Sequence, residues 1–524
     1  MLITDILSRN ARTYGSEVAL IEREPAKNRR VEITWQEFDD QSNRIAQALI
    51  DKGIKKGDRV VQLMMNCIEW LPIYFGILRT GAMVVPLNFR FVAKTIQSCV
   101  QTSGAVVVIF GEEFIERMDS IVTDLQPEVG TFLFVGPEEK RPVYAESCLE
   151  LMKRYPAENP QCEISVLDDA ALYFTSGTTG TPKATLLTHR NLEFACYAEN
   201  QHHQQIHEDN FLCLPPLYHT GAKMHWFGNF IVGARAVIMK GIDPVWIMEA
   251  ISEEKITVVW LLVPWALDIL FAIENDDVVL QDYNLDQWRL MHIGAQPVPP
   301  SLIREWMKHF PEHQYDTNYG LTESSGPGCV HLGMENMHKV GAIGVPGFDW
   351  EIRIIGADGS QVLQGEPGEL AVKGPGVMKA YYGNPEATSE VLVNGWLLTG
   401  DIARQDDDGF IWLVDRKKDV IITGGENIYP VEIEDFLQTH PAIQDVAVIG
   451  LHSLRLGEIS AAIVQTKAGQ ELSKKAIDDF CEALPRYKRP RKIIFGEVPR
   501  NPTGKIEKPK LREKYAGSSE SFKI

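Results

Sequence analysis

Cysteine pairs of the Cys-x-x-Cys kind do not occur anywhere in this 524-residue chain. Its eight cysteines (Cys67, Cys99, Cys148, Cys162, Cys196, Cys213, Cys329 and Cys481) are scattered, with no histidine at zinc-ligand spacing from any of them. That argues against a cysteine-framed zinc site and a disulfide scaffold, and the expected setting is reducing and cytoplasmic. Positive charge is scarce as well: 52 Lys and Arg against 71 Asp and Glu leave a net charge of −19. A general binder of nucleic acid or anionic membrane is not expected on that balance, so any anionic substrate has to be met by local positive charge. An uninterrupted apolar run long enough to span a bilayer is also missing. The nearest candidate, ITVVWLLVPWALDILFAI at 256–273, has Pro264 in its middle and Asp268 beyond. It reads as a buried strand to Val263 followed by a helix that opens on Pro264. The stretch MLITDILSRNARTYG carries Asp5 and lacks a long apolar segment, so a signal peptide is not expected, and FKI is neither a peroxisomal nor a retention address.

What is present describes a globular protein of ordinary composition, 44% apolar and 23% charged, too long for one core. Thr34-Trp35-Gln36-Glu37 is a capping box, and Phe38, Ile45, Leu49 and Ile50 share one face of the helix it opens. Strands follow from Val60, over Met83–Leu87, Val106–Phe110, Val237–Met239 and Met291–Gly294, with a helix from Trp70 to Arg79 among them. This alternation predicts an α/β protein with parallel sheets. Between about Ile343 and Val414, glycine, proline and short strands (EIRII, GELAVKG, GFIWLVD) predict a β-rich subdomain. After Asp415 comes the charge cluster Arg416-Lys417-Lys418-Asp419, and beyond it a helix near Pro430, two strands and a helix from Lys474. The expected division is a large domain over 1–415, with its β-rich part at about 343–414, and a small α+β domain over 416–524.

One stretch carries distinctive chemistry. An apolar run ending at Phe174 gives way to Thr175-Ser176-Gly177-Thr178-Thr179-Gly180-Thr181-Pro182-Lys183, and a second β-prone run begins at Thr185. Small hydroxylated residues and two glycines let backbone N–H groups converge on an anion, and Lys183 adds charge where a polyphosphate would lie. The common P-loop is ruled out because Pro182, not glycine, precedes the lysine. On composition alone a flexible linker is the other reading, although linkers rarely interrupt buried strands.

The stretch resembles the phosphate-binding signature of the acyl-adenylate-forming superfamily (acyl-CoA synthetases, luciferases, peptide-synthetase adenylation domains). It departs at Ala184, where that family usually has glycine. Further segments are similar, and together they cover nearly the whole chain. The resemblance implies that Thr175, Ser176, Gly177, Thr178, Thr179, Gly180 and Lys183 hold ATP phosphates. Within Tyr319-Gly320-Leu321-Thr322-Glu323 it implies that Tyr319 stacks on adenine, Thr322 contacts the α-phosphate and Glu323 recruits Mg²⁺; taken alone, a core tyrosine with a solvated glutamate is the plainer reading. Gly294, Ala295 and Gln296 would line the adenine pocket, and Asp401 with Arg416 would bind the ribose hydroxyls. Asp401 itself closes Trp396-Leu397-Leu398-Thr399-Gly400 and reads as a turn residue.

Lys418 matches the hinge of the family, and Lys505, in Asn501-Pro502-Thr503-Gly504-Lys505-Ile506, matches its catalytic lysine. Gly424, Gly425 and Glu426 resemble the CoA-ligase form of the segment met by the pantetheine arm, and a basic patch at Arg486, Lys488, Arg489, Arg491 and Lys492 either meets CoA phosphates or is a solvated face. A second departure places Ser453 and Leu456 where the family commonly has Asp and Trp. His219 would lie near the acyl group. Met224, Trp226 and Phe227, with Trp265, Ile293 and Ser324 as further walls, would form an acyl pocket for an apolar aromatic, cyclic or medium-chain acid; Lys223 or His225 reading a polar substituent is the lesser alternative. The implied activity is an AMP-forming acid–CoA ligase using ATP, Mg²⁺ and coenzyme A, acting on a small-molecule carboxylic acid without nucleic acid or membrane span. A homo-oligomer is compatible with this. The alternatives are an enzyme that stops at acyl-AMP or loads a carrier protein, and a nucleotide-binding regulator without turnover.

Overall fold

The computed structural model describes residues 1–175, 182–294, 298–326, 328–331, 333–423, 426–453, 455–500 and 506–516. Local signals act where the sequence places them. Thr34 Oγ1 accepts from the Glu37 amide, Glu37 accepts from the Thr34 amide, and the helix Trp35–Asp51 starts there. The apolar run near Pro264 divides into a fully buried strand, Val258–Leu262, and a helix, Val263–Glu274, with the proline in its first turn. Among the described residues no helix is long and apolar enough to cross a membrane. All eight cysteines are free thiols.

Two large sheets organise the chain. One has seven strands, and its central run (Gln314–Asp316, Leu290–Gly294, Val258–Leu262, Asn210–Cys213, Arg235–Met239, Val18–Glu24) is parallel throughout. The other has eight strands and changes character along its width. From Glu146–Ser147 to Asp169–Thr175 every neighbour is parallel, and beyond that Asp169–Thr175 turns back antiparallel into Lys183–Thr188. The parallel block therefore ends at the strand Asp169–Thr175, which precedes the Thr/Gly segment in sequence. Burial on both faces explains why these strands read as continuous apolar runs.

A smaller antiparallel sheet is built from Glu351–Ile355, Gly368–Lys373, Trp396–Gln405, Leu392–Val393 and Ile411–Arg416, in the region expected to be β-rich. The last sheet comprises Ile421–Thr423, Glu426–Ile428, Ile443–Ser453, Gly457–Thr466 and Lys492–Phe495. Alternate residues of its two long strands enter two small apolar clusters, one with Val446 and Val448, the other with Ala447 and Ile449. The period of two places these clusters on opposite faces of the sheet.

Three N-terminal helices are joined by one buried cation. Arg79, at the end of Trp70–Arg79, donates to the Asp39 carboxylate, to Asn43 Oδ1 at 2.6 Å and to Ser8 Oγ at 2.9 Å. Asp39 also accepts from Ser8 and Asn43, both at 3.1 Å, so the carboxylate is held by several donors, while Arg79 Nε has no hydrogen-bond partner among the described residues. Arg79→Met is expected to cost about 3–5 kcal/mol, because it strands a buried carboxylate. The double variant Arg79→Met/Asp39→Leu should recover most of that, as read by urea unfolding of the two proteins side by side.

Candidate active site

The phosphate side is built around a tyrosine ring. Strand register sets Thr175 opposite Lys183 and Phe174 opposite Ala184, and Thr175 Oγ1 lies 3.5 Å from the Lys183 carbonyl. A short strand, Ala380–Tyr381, adds to the outer edge of Lys183–Thr188. It brings the Tyr381 ring within 4.8 Å of Lys183 Nζ, while Tyr381 Oη donates to Glu323 Oε1 at 2.9 Å. Lys183 and Glu323, 140 residues apart in sequence, thus meet at one ring. Burial, then the Glu323 charge, pushes the Tyr381 phenol well up, so it stays a donor. Thr322 Oγ1 lies 3.4 Å from Thr220 Oγ1 at the start of the helix Thr220–Ile231. Ser176, Gly177, Thr178, Thr179 and Gly180 lie outside the described residues.

Asp401 is a buried carboxylate with Tyr319 and Arg416 among its partners. Asp401 accepts from Tyr319 Oη at 2.5 Å through Oδ2 and pairs with Arg416 Nε at 2.6 Å through Oδ1. The turn expected at Asp401 is not there. Asp401 sits inside the strand Trp396–Gln405, directly opposite Arg416 in the antiparallel ladder, and the ladder aims the two side chains at each other. Gly400, at φ +71°, supplies the local kink that pure periodicity hides. Lys418 follows on an exposed turn anchored by the Arg416 carbonyl, which accepts from the Asp419 and Val420 amides. Gly294 ends the strand Leu290–Gly294, whereas Ala295 and Gln296 lie outside the described residues.

On the acyl side, the helix Thr220–Ile231 presents two different faces. His219 caps it, its Nδ1 accepting from the Gly221 amide at 3.1 Å. Trp226 packs edge-on against Phe75 and tilts on Phe230, Phe227 follows them, and Met224 joins the same apolar core. Whereas Met224 lies one turn above Thr220, next to the Gly221 face, Trp226 and Phe227 fill the interior between the helices rather than facing His219's surroundings. Lys223 is turned the same way, donating to the Leu217 carbonyl with its Nζ 4.6 Å from the Tyr173 ring centroid. The opposite face, at spacing i, i+4, i+7, carries Gly221, His225 and Gly228. Trp265 is half-buried between the two largest cores. The Ser324 hydroxyl is spent inside its own turn, on the Leu321 amide and the Leu321 and Gly326 carbonyls.

Behind Gly221 and His225 lies a buried polar cluster that no local spacing reveals. His225 Nδ1 lies 2.6 Å and His203 Nδ1 2.7 Å from Glu199 Oε1, and His203 Nε2 lies 3.0 Å from His292 Nδ1. His202 pairs with Asp316 at 2.7 Å. Burial would raise Glu199, but the His225 and His203 rings outweigh it and hold the carboxyl well below the usual carboxylate range, and burial lowers His203 and His292 so that both are neutral. Trp260 lies against His225, with ring centroids 4.3 Å apart. Glu199, His203, Trp260 and His292 carry no motif; the only sequence signal is the adjacent pair His202-His203 in a helix otherwise ordinary.

On the terminal sheet, Glu426 is exposed at the start of the strand Glu426–Ile428, and Gly424 and Gly425 lie outside the described residues. Lys505 does too; the ends of its segment are tied together by the Arg500–Ile506 bridge and by the Glu507 amide on the Pro499 carbonyl at 2.8 Å. Ser453 faces Gly457 across the hairpin, and its Oγ accepts from the Leu456 amide at 3.3 Å. In the basic patch Lys488 pairs with Glu432, and Arg489 donates to the carbonyls of Leu484 and Glu482.

Comparison with known proteins places this geometry. Residues 7–382 match the AMP-binding enzyme family, and residues 432–505 match the AMP-binding enzyme C-terminal domain. The chain is 34% identical over 490 residues to the long-chain-fatty-acid–CoA ligase FadD13 of Mycobacterium tuberculosis, covering 93% of this chain and 94% of that one. It is 32% identical over 487 residues to a feruloyl-CoA synthase of Amycolatopsis sp., covering 92% and 94%. Among solved structures, the anthranilate CoA ligase AuaEII in complex with anthranoyl-AMP matches with a TM-score of 0.88 at 25% identity, over 99% of this chain and 98% of that one. A Mycobacterium tuberculosis fatty acyl CoA synthetase matches with a TM-score of 0.78 at 31% identity, over 99% of both chains. The matched residues include the Thr/Gly stretch, the Tyr319 segment and most of the terminal sheet, and the chain belongs to the AMP-binding enzyme family.

Proposed function

We propose that this protein is an AMP-forming acid–CoA ligase that converts a carboxylic acid, ATP and CoA into an acyl thioester, AMP and pyrophosphate. The observation that carries the reading is the meeting of Lys183 and Glu323 at the Tyr381 ring. One charge suits phosphate oxygens and the other a hard cation, and the phenol holds the carboxylate in place. Glu323 forms no ion pair among the described residues and fits Mg²⁺, which would offset phosphate charge. Asp401, fixed by Tyr319 and Arg416, accepts the ribose hydroxyls. The relatives named as CoA ligases support thioester formation over an activity that stops at acyl-AMP.

In the first step the substrate carboxylate oxygen attacks the α-phosphorus and the bond to pyrophosphate breaks. Two negative groups approach, and Lys505 bridges them, with Thr322 on the α-phosphate. In the second step the CoA sulfur attacks the acyl carbon, AMP departs and the thiol proton is lost. We assign 1–415 to the adenylating domain and 416–524 to a mobile domain that turns about Lys418, bringing first Lys505 and then the Gly424-Gly425-Glu426 segment to the site. His219 stands beside Gly221 and Thr220, where the acyl carbon would lie. The soluble setting fits cytoplasmic acid metabolism.

The decisive assay is a panel of carboxylic acids with ATP and CoA, reading AMP release and thioester. Exchange of pyrophosphate into ATP with no thioester would favour the carrier-loading alternative, and bound AMP with no exchange would favour a regulator. Lys505→Ala is expected to slow acyl-AMP formation about 100- to 1,000-fold while leaving thioester formation from supplied acyl-AMP nearly intact. Lys418→Pro should show the reverse asymmetry, because fixing the backbone there holds the adenylating pose. Asp401→Ala should raise KM for ATP about 10- to 100-fold through loss of charge-assisted bonds, measured by steady-state AMP release.

A further inference from the structure

The histidine cluster ends beside Gly294, where three polar side-chain atoms converge. The point where a Cβ on Gly294 would lie is 3.6 Å from His292 Nε2, 3.7 Å from Trp260 Nε1 and 3.8 Å from Thr317 Oγ1. His292 is 1% exposed and Trp260 3%, and among the described residues neither of these nitrogens has a hydrogen-bond partner. Two buried, unsatisfied ring nitrogens aimed at one spot are costly unless a ligand completes them. The spot also has a place in the site. The far edge of the Trp260 ring, Cη2, lies 2.9 Å from the Cβ point of Gly221, whose amide caps onto His219, next to Thr220 and Thr322. One indole ring therefore separates the region of the reacting carboxyl from the polar spot beside Gly294.

The protons can be placed along the chain of contacts. His203 Nδ1 lies 2.7 Å from Glu199 Oε1, a separation at which a carboxylate oxygen and an unprotonated ring nitrogen would repel, so the His203 proton is assigned to Nδ1 and its lone pair to Nε2. His292 must then donate from Nδ1, which leaves its Nε2 as a lone pair facing the spot. Trp260 Nε1 can only donate. The spot thus presents one acceptor and one donor to a single group. A methyl would leave both unsatisfied. A carboxylate would bring a second negative charge toward Glu199 with neutral imidazoles between. A cation would meet the Trp260 N–H and find the His203 lone pair already engaged. A hydroxyl, one donor with two lone pairs, satisfies both nitrogens.

We propose that the acid this enzyme activates carries a hydroxyl about one aromatic ring away from its carboxyl, read by His292 Nε2 and Trp260 Nε1, with His203 and Glu199 as positioning residues that fix the His292 tautomer. This rests on the ligase reading and names its substrate class: a hydroxylated aromatic acid, or one of matching length, with an apolar body and a polar tip.

The test compares para-hydroxyphenylpropanoic acid with phenylpropanoic acid, in two readouts: kcat/KM for AMP release with CoA, and binding of each acid by calorimetry without ATP. The intact protein should favour the hydroxylated acid about 10- to 100-fold in both. In His292→Phe the ratio should fall below about 3-fold, since neither nitrogen pair is then completed, and His292→Gln should restore part of it through its amide oxygen. Gly294→Ala puts a methyl at ordinary contact distance from the three polar atoms, so it fits without strain and occupies the hydroxyl's place. It too should erase the preference. Equal affinity for the two acids in the intact protein, or a preference that survives in both His292→Phe and Gly294→Ala, overturns the proposal. So does stoichiometric zinc in the purified protein that is lost in His292→Phe, which would make the cluster a metal site. Binding without turnover of either acid would count against the ligase reading and leave the hydroxyl preference standing on calorimetry.

Discussion

A carboxylate withdrawn from water has to be answered, and the answer given to Asp401 ties the molecule together. Its two oxygens are taken by a phenol from the Tyr319 segment and by a guanidinium from the last strand before the terminal sheet. The distant Tyr319 segment is thereby fixed to two neighbouring strands around one group, and the hydrogen-bond register of an antiparallel ladder sets the geometry. An exposed pair would have contributed little and held nothing in place. Here only the carboxylate is buried, while Arg416 keeps about two fifths of its side chain exposed, so it is Asp401 that loses compensation when either partner is removed.

The same logic separates the parts of the sequence that could be read from those that could not. Signals that act over a few residues were legible. The Thr34–Glu37 capping box, the switch from strand to helix at Pro264 and the alternation that makes two parallel sheets all appear in the structure. The β-rich stretch after Ile343 is likewise an antiparallel sheet. Asp401 was misjudged locally because Thr399-Gly400-Asp401 has turn composition, whereas pairing with Ile411–Arg416 keeps it extended. Tertiary pairing overrode local preference.

The acyl side was the least legible. Met224, Trp226 and Phe227 look like pocket lining because they are large and apolar beside His219, but a helix turns successive residues 100° apart. Trp226 and Phe230 fall on the core face, and the two glycines and His225 fall on the other. The cluster of Glu199, His203, His225 and His292 draws on two helices and a strand. Only the fold brings its members together, so no spacing rule finds them. Family resemblance, by contrast, named Tyr319 for adenine and Asp401 with Arg416 for ribose, in two separate segments, and the structure joins all three through the Asp401 carboxylate.

Arg416 has a double attachment. Its side chain grips the Asp401 carboxylate, which we propose for the sugar, while its own carbonyl anchors the turn through Asp419 and Val420. Occupancy of the nucleotide site and the setting of that turn are therefore coupled through one residue, and thermodynamic reciprocity follows. Whichever orientation of the terminal sheet holds the nucleotide more tightly is the orientation the nucleotide itself must favour, by the same free energy.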